Sequence, residues 1–258
     1  GTSNVPVELI FPEKPIKKPV PLIILQHGST RDSGKISNGI VQTDVQMKNL
    51  SKASLNNGFA VAIIDAFYKK NLKANQKNKQ PDAQVYAKQI ASYFSKNTKL
   101  DPNNFFYAGF SYGGRAAVML MNDLEFGNSK KWAGVVSLEP PCNMFYKPRN
   151  FETPLLVIKG GESHYEPKPC KTMIDLYSSA GADANLKIFP KSNHFFSHNG
   201  KIVKGVAFNG CGDNPVIISK NNNFNFLDGN VANPKNIRKK CFTKTSGSGK
   251  TREDLKLV

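Results

Sequence analysis

Asn104-Phe-Phe-Tyr-Ala-Gly-Phe-Ser-Tyr-Gly-Gly-Arg115 joins an apolar run to one serine fenced by glycines, and the helix-forming run Ala116-Ala-Val-Met-Leu-Met121 follows it. A flexible linker has no reason to be entered through Phe105–Ala108 and left through a helix. The context predicts a strand, a tight turn and a helix, with Gly109, Ser111 and Gly113 at the Gly-x-Ser-x-Gly spacing. In that arrangement the serine occupies a strained turn. Residues lacking a Cβ on each side let strand and helix pack closely. The turn lifts the hydroxyl clear of the sheet edge. It also aims the Tyr112 N–H at a carbonyl oxygen gathering negative charge, beside the positive end of the helix.

The flanking chain repeats the same grammar. Val5–Phe11, Val20–Gln26, Phe59–Asp65, Trp132–Leu138, Pro154–Lys159 and Ala184–Phe189 read as strands, most of them unbroken apolar runs. Between them, residues 40–56 place Val41, Val45, Leu50 and Leu55 near one helical face, with Gly58 as the stop. Pro81 opens a second helix through Val85, Ile90, Tyr93 and Phe94, and Lys171–Ala180 forms a third. Short buried strands alternating with amphipathic helices predict a mostly parallel, twisted sheet covered by helices on both faces. In such sheets chemistry collects at the carboxyl ends of the strands.

The 258 residues suit one large α/β domain, expected over 1–258, with a loop-rich lid or edge at about 197–245. No apolar run approaches the length of a transmembrane helix, and Gly1-Thr-Ser-Asn-Val-Pro6 lacks a signal peptide's apolar core. The net charge of +17 comes mainly from scattered lysine, and residues 201–258 carry 11 Lys/Arg against 4 Asp/Glu, a balance of +7. Lys69, Lys70, Lys73, Lys77 and Lys79 form another basic loop. No nucleic-acid module accompanies the charge, so specific nucleic-acid binding is not expected, and the field favours anionic substrates or surfaces. Cys142, Cys170, Cys211 and Cys241 show no zinc spacing; neither a metal nor an organic cofactor is expected. Their even number is compatible with disulfides, and hence with a periplasmic or secreted protein.

A serine hydroxyl needs a base, ordinarily a histidine whose other ring nitrogen is held by a carboxylate. Of His27, His164, His194 and His198, His194 follows the last predicted strand and comes after Ser111 in the order expected of serine hydrolases of this kind. His27 shapes a loop in which the Ser29 N–H can serve as a second oxyanion donor. Ser246-Gly-Ser-Gly-Lys-Thr251 resembles part of a phosphate-binding loop, but Lys244 stands where its first glycine belongs, and Thr251 with Asp254 better caps a last helix.

The chain resembles the dienelactone hydrolase family of α/β-hydrolases. The likeness is carried by His27-Gly-Ser29, Gly109–Gly113, Gly160-Gly-Glu-Ser-His-Tyr-Glu-Pro167 and Phe189–Phe196, and covers residues 5 to about 196. It implies Ser111 as nucleophile, His194 as base, and Ser29 and Tyr112 as oxyanion donors. Dienelactone hydrolase itself uses cysteine at the nucleophile, so lactone specificity does not carry over to a serine. The family's acid is an aspartate at the position held here by Ser163. We expect Glu162 to replace it, with Glu139 and Glu166 as alternatives. The resemblance further suggests that Cys142 and Cys170 pair, and Cys211 is expected with Cys241. Closing the first loop contributes on the order of 3 kcal/mol. The expected activity is carboxylic ester (or lactone) hydrolysis through an acyl-enzyme. The substrate is a small or polymeric ester, and oligomeric state is left open. A non-catalytic binding protein that has lost its acid, and an acyltransferase, are the alternatives.

Overall fold

The computed structural model describes residues 5–13, 18–29, 34–35, 41–68, 72, 79–196 and 206–248. It resolves into two units, Gly1–Ser137 and Leu138–Val258.

In the first unit the strands are β1 (Val7–Ile10), β2 (Val20–Gln26), the short pair β3 (Gly34–Lys35) and β4 (Gln42–Thr43), β5 (Ala60–Ile64), β6 (Leu100–Phe110), the hairpin β7 (Glu125–Phe126) and β8 (Lys130–Lys131), and β9 (Gly134–Leu138), whose last residue opens the second unit. The helices are α1 (Val45–Asn56), α2 (Ala83–Phe94) and α3 (Tyr112–Leu120). The main sheet runs β1-β5-β2-β6-β9; β2 is parallel to β5 and β6, and β1 is antiparallel to β5. Every residue of β5 is wholly buried, as are Leu22, Ile24 and Leu25 of β2. Each such branched side chain contributes about 1.5–3 kcal/mol by leaving water, which is why these runs show no polar alternation. The register sets Gln26 level with Ile64 and Gly109. His27, Asp65 and the Phe110-Ser111 turn therefore leave the same edge of the sheet.

The helix faces differ from expectation in an instructive way. In α1 the buried positions are Gln46, Met47, Ser51 and Ser54, not Val45, Leu50 and Leu55, and the helix begins after its Asp44 cap rather than near residue 40. Gly58, at φ +83°, ends it as predicted. In α2 the alanines 83, 87 and 91 face the core with Phe94, while Val85 and Tyr93 stand in solvent. Small side chains bring this helix close to its neighbours.

The second unit holds β10 (Met144–Tyr146), β11 (Leu155–Gly160), α4 (Lys168–Ser179), β12 (Ala184–Phe189), β13 (Val206–Phe208), β14 (Val216–Ile218), β15 (Phe224–Phe226), α5 (Pro234–Cys241) and β16 (Lys244–Ser248). β11 and β12 are parallel, with Gly160 opposite Phe189, so the 161–166 and 190–194 segments emerge side by side. Within the region expected to be loop-rich, the described residues 206–245 hold short elements joined by loops. β14 joins β10 and β15 in a three-stranded sheet, and Val216 and Phe226 pack with the Cys211–Cys241 disulfide. Cys142 is bonded to Cys170. The basic loop beyond Lys69, His198 and the capping pair Thr251 and Asp254 lie outside the described residues, apart from Leu72 and Lys79.

Candidate active site

Ser111 has φ 53° and ψ −101°, a conformation few residues with a Cβ adopt, and it stands between β6 and α3. The glycine fence has a direct steric cause. A Cβ on Gly109 would collide with the Gly113 backbone, and one on Gly113 with the Gln26 backbone. Tyr107 Oη donates to the Gly113 carbonyl at 3.1 Å, and the Arg115 N–H closes the first helical turn on the Ser111 carbonyl at 2.8 Å. Tyr112 opens α3, so its backbone N–H belongs to the leading group that no helical carbonyl can accept. Its phenol is fixed at the far end by donating to Pro81 O at 2.5 Å.

The loop at the end of β2 is equally constrained. The Ala66 N–H donates to His27 Nε2 at 3.1 Å, which makes Nδ1 the protonated nitrogen, donating to Gly28 O at 2.7 Å. Fully buried, with Phe67 against its edge, His27 shapes this loop, as the sequence led us to expect. The Gly28 N–H donates to Asp44 Oδ2 at 2.5 Å, while Asp44 Oδ1 accepts the Met47 N–H at 2.9 Å. One carboxylate thus ties the loop to the start of α1. Gly28 leaves room for Phe110, whose ring would lie 2.8 Å from an added Cβ. Ser29, next in the chain, is partly exposed.

In the second unit His194 is 6% exposed, and its Nδ1 lies 3.1 Å from Glu139 Oε2. The carboxylate that meets the imidazole is Glu139, which follows β9 at φ 55°, where Glu162 was the expected partner. Glu162 is held by its backbone, its N–H donating to Ser192 O at 2.8 Å, and Glu166 likewise donates to Phe208 O at 3.0 Å. The longer glutamate side chain lets a residue at the end of one strand reach a histidine that follows another. Ser163, where the family's aspartate would stand, donates its hydroxyl to Glu139 Oε2, and the Gly160 N–H donates to Oε1.

Sequence reasoning passed over Lys159. It is wholly buried, and its ammonium donates to Glu139 Oε2 at 3.1 Å, Ser163 Oγ at 3.1 Å and Pro140 O at 3.0 Å. The available signal was a lysine closing an otherwise apolar strand. Burial alone would raise the Glu139 pKa; the Lys159 charge and the hydrogen bonds from His194 and Ser163 overcome it and hold the carboxyl at about 2. Burial pulls Lys159 below the usual lysine range, and Glu139 opposes that pull. His164 stacks on His194 with ring centroids 4.6 Å apart, and Phe195 meets the same ring edge-on. Among the described residues no cluster of His, Cys, Asp or Glu has the make-up of a metal site.

A strained serine between strand and helix, carried on a largely parallel sheet, defines an α/β-hydrolase. The sequence pattern of the dienelactone hydrolase family matches residues 39–211, and the chain belongs to that family. It is a carboxylic ester hydrolase. Among curated proteins no sequence relative matches the chain. Similar folds include esterase 2 of Thermogutta terrifontis in its apo form, with 14% identity over 77% of this chain and 82% of that one and a TM-score of 0.58. The same esterase phosphorylated by paraoxon gives 14% identity, coverage of 75% and 80%, and a TM-score of 0.56. A Klebsiella pneumoniae protein assigned to the dienelactone hydrolases gives 15% identity, coverage of 75% and 83%, and a TM-score of 0.55.

Proposed function

We propose that Ser111 is the nucleophile, His194 the general base and Glu139 the acid of a serine esterase acting through an acyl-enzyme. Ser111 Oγ attacks the ester carbonyl as its proton passes to His194 Nε2, and Glu139 stabilises the imidazolium through Nδ1–H. The N–H groups of Tyr112 and Ser29 receive the oxyanion. Collapse expels the alcohol, which takes the proton back from His194. Water, deprotonated by the same imidazole, then releases the carboxylic acid and restores Ser111.

The observation that carries this reading is the His194–Glu139 hydrogen bond of 3.1 Å. Ser163 had been the feature favouring a non-catalytic binding protein, and a carboxylate supplied from elsewhere removes that support. The esterase of Thermogutta terrifontis, with its butyrate-bound and paraoxon-phosphorylated forms, supports a short-chain ester as the substrate class. The charge of +17 favours anionic members of it. The two disulfides favour a periplasmic or extracellular site of action. Hydrolysis of p-nitrophenyl acetate and butyrate tests the assignment: the natural chain turns them over, and Ser111→Ala falls to background with its fold intact. Equal rates in the two proteins would contradict it. Adding alcohol acceptors and looking for transesterified product separates an acyltransferase.

A further inference from the structure

Lys159 is a cation in a position where cations are rarely found. It closes the apolar run Leu155–Ile158 and is wholly buried, a desolvation that is strongly unfavourable unless partners replace the lost water. Its three donors are all taken, by Glu139 Oε2, Ser163 Oγ and Pro140 O. Two of those acceptors are themselves linked, because the Ser163 hydroxyl accepts from Lys159 and donates to the Glu139 oxygen that also faces His194. Replacing a buried ion pair by well-packed apolar side chains is often neutral or stabilising, so stability is a weak reason to keep one. This pair shares its carboxylate oxygen with the proposed base.

We propose that Lys159 is a positioning residue for ester hydrolysis, its ammonium and the Ser163 hydroxyl fixing the Glu139 carboxylate on His194 and offsetting part of that carboxylate's charge at the imidazole. The inference rests on the reading of His194 as base. A lone carboxylate would make the imidazole hold its proton to higher pH; a carboxylate already paired with an ammonium does so less. The titratable groups packed on His194 include Glu139, from the end of β9, and His164, from the loop after β11. Those packed on Glu139 include His194 and, from β11, Lys159. Ser163 supplies the uncharged contact. Without Lys159, the Glu139–His194 couple binds a proton more tightly whichever partner takes it.

The test is the pH profile of kcat/KM on p-nitrophenyl acetate for the whole chain and for Lys159→Met. The acid limb is expected to move up by about one pH unit, with kcat at neutral pH falling about tenfold and KM changing by less than about twofold. Lys159→Gln, which keeps hydrogen-bonding groups without the charge, is expected to show the same shift, and carries the test if the Met variant does not fold. An acid limb that stays in place in a folded variant overturns the proposal. So does failure of both variants to fold, which makes Lys159 a residue of the fold alone. Fluorophosphonate labelling of the natural chain separates the two claims. A chain not labelled at Ser111 contradicts the triad itself, whereas labelling with an unmoved limb contradicts only the role of Lys159.

Discussion

Glu139 and His194 are 55 residues apart in the chain, yet Glu139 Oε2 and His194 Nδ1 lie 3.1 Å apart. In the proposed triad the acid stands at the end of β9 rather than in the loop after β11, where Ser163 occupies the family's acid position and donates its hydroxyl to Glu139. That placement makes the two glutamates separable by experiment. Glu139→Gln is expected to lower kcat by roughly 10²–10⁴-fold, in line with the loss when a triad acid becomes an amide, while Glu162→Gln stays within about threefold of the natural chain. Steady-state kinetics on a short p-nitrophenyl ester measures both, with circular dichroism checking the fold.

Stability should follow the same carboxylate. Its folded pKa of about 2 lies below the unfolded value near 4.5, so its contribution is fully present above about pH 4.5 and is lost as pH falls toward about 2. Urea unfolding of the natural chain and of Glu139→Gln across that window is expected to show a stability gap that narrows as the pH drops. A gap independent of pH would mean that Glu139 is not ionised in the folded protein.

Asp44 holds the loop of the proposed oxyanion donor through the Gly28 N–H and caps α1 through Met47. Asp44→Ala should therefore cost about 1–2 kcal/mol of stability from the lost cap. It should also lower kcat by roughly tenfold or more, with a smaller change in KM, since a displaced Ser29 N–H weakens the transition state more than the ground state. Chemical denaturation and kinetics on one preparation read out the two effects separately.

The Cys142–Cys170 bond begins three residues beyond Glu139 and closes a loop of 28 residues. Replacing both cysteines by alanine is expected to lower stability by roughly 3 kcal/mol in the chain-entropy model. Non-reducing peptide mapping should recover Cys142 linked to Cys170 and Cys211 linked to Cys241; four thiols alkylated without reduction would contradict both pairings.

Local pattern carried most of the fold. β2 and β5 lie where apolar runs predict them, because buried parallel strands need no polar alternation, and β12 lies where Ala184, Leu186 and Ile188 alternate with the exposed Asn185 and Lys187. The Ser111 turn was legible from its glycines, whose missing side chains are required by contacts with residues only a few positions or one strand away. The acid was not. Glu139 and Glu162 are both glutamates beside strand ends, and the choice depends on which carboxylate the folded chain turns toward His194, a relationship that the 139–162 spacing does not encode. Lys159 was invisible for a related reason: a lysine ending an apolar strand reads as a solvated terminus until Glu139 and Ser163 are seen around it. The short strands beyond residue 205 were missed because Cys211–Cys241 and packing on Val216 and Phe226, rather than periodicity, order them.

The central claim is that Ser111 is an activated nucleophile, and covalent labelling reads it most directly. Incubation with a fluorophosphonate followed by peptide mass spectrometry is expected to place one adduct on the peptide containing Gly109–Gly113, at Ser111. His194→Ala and Glu139→Gln should slow that labelling by roughly 10²-fold or more. A folded, unlabelled chain, or an adduct on any other residue that survives Ser111→Ala, would contradict the account.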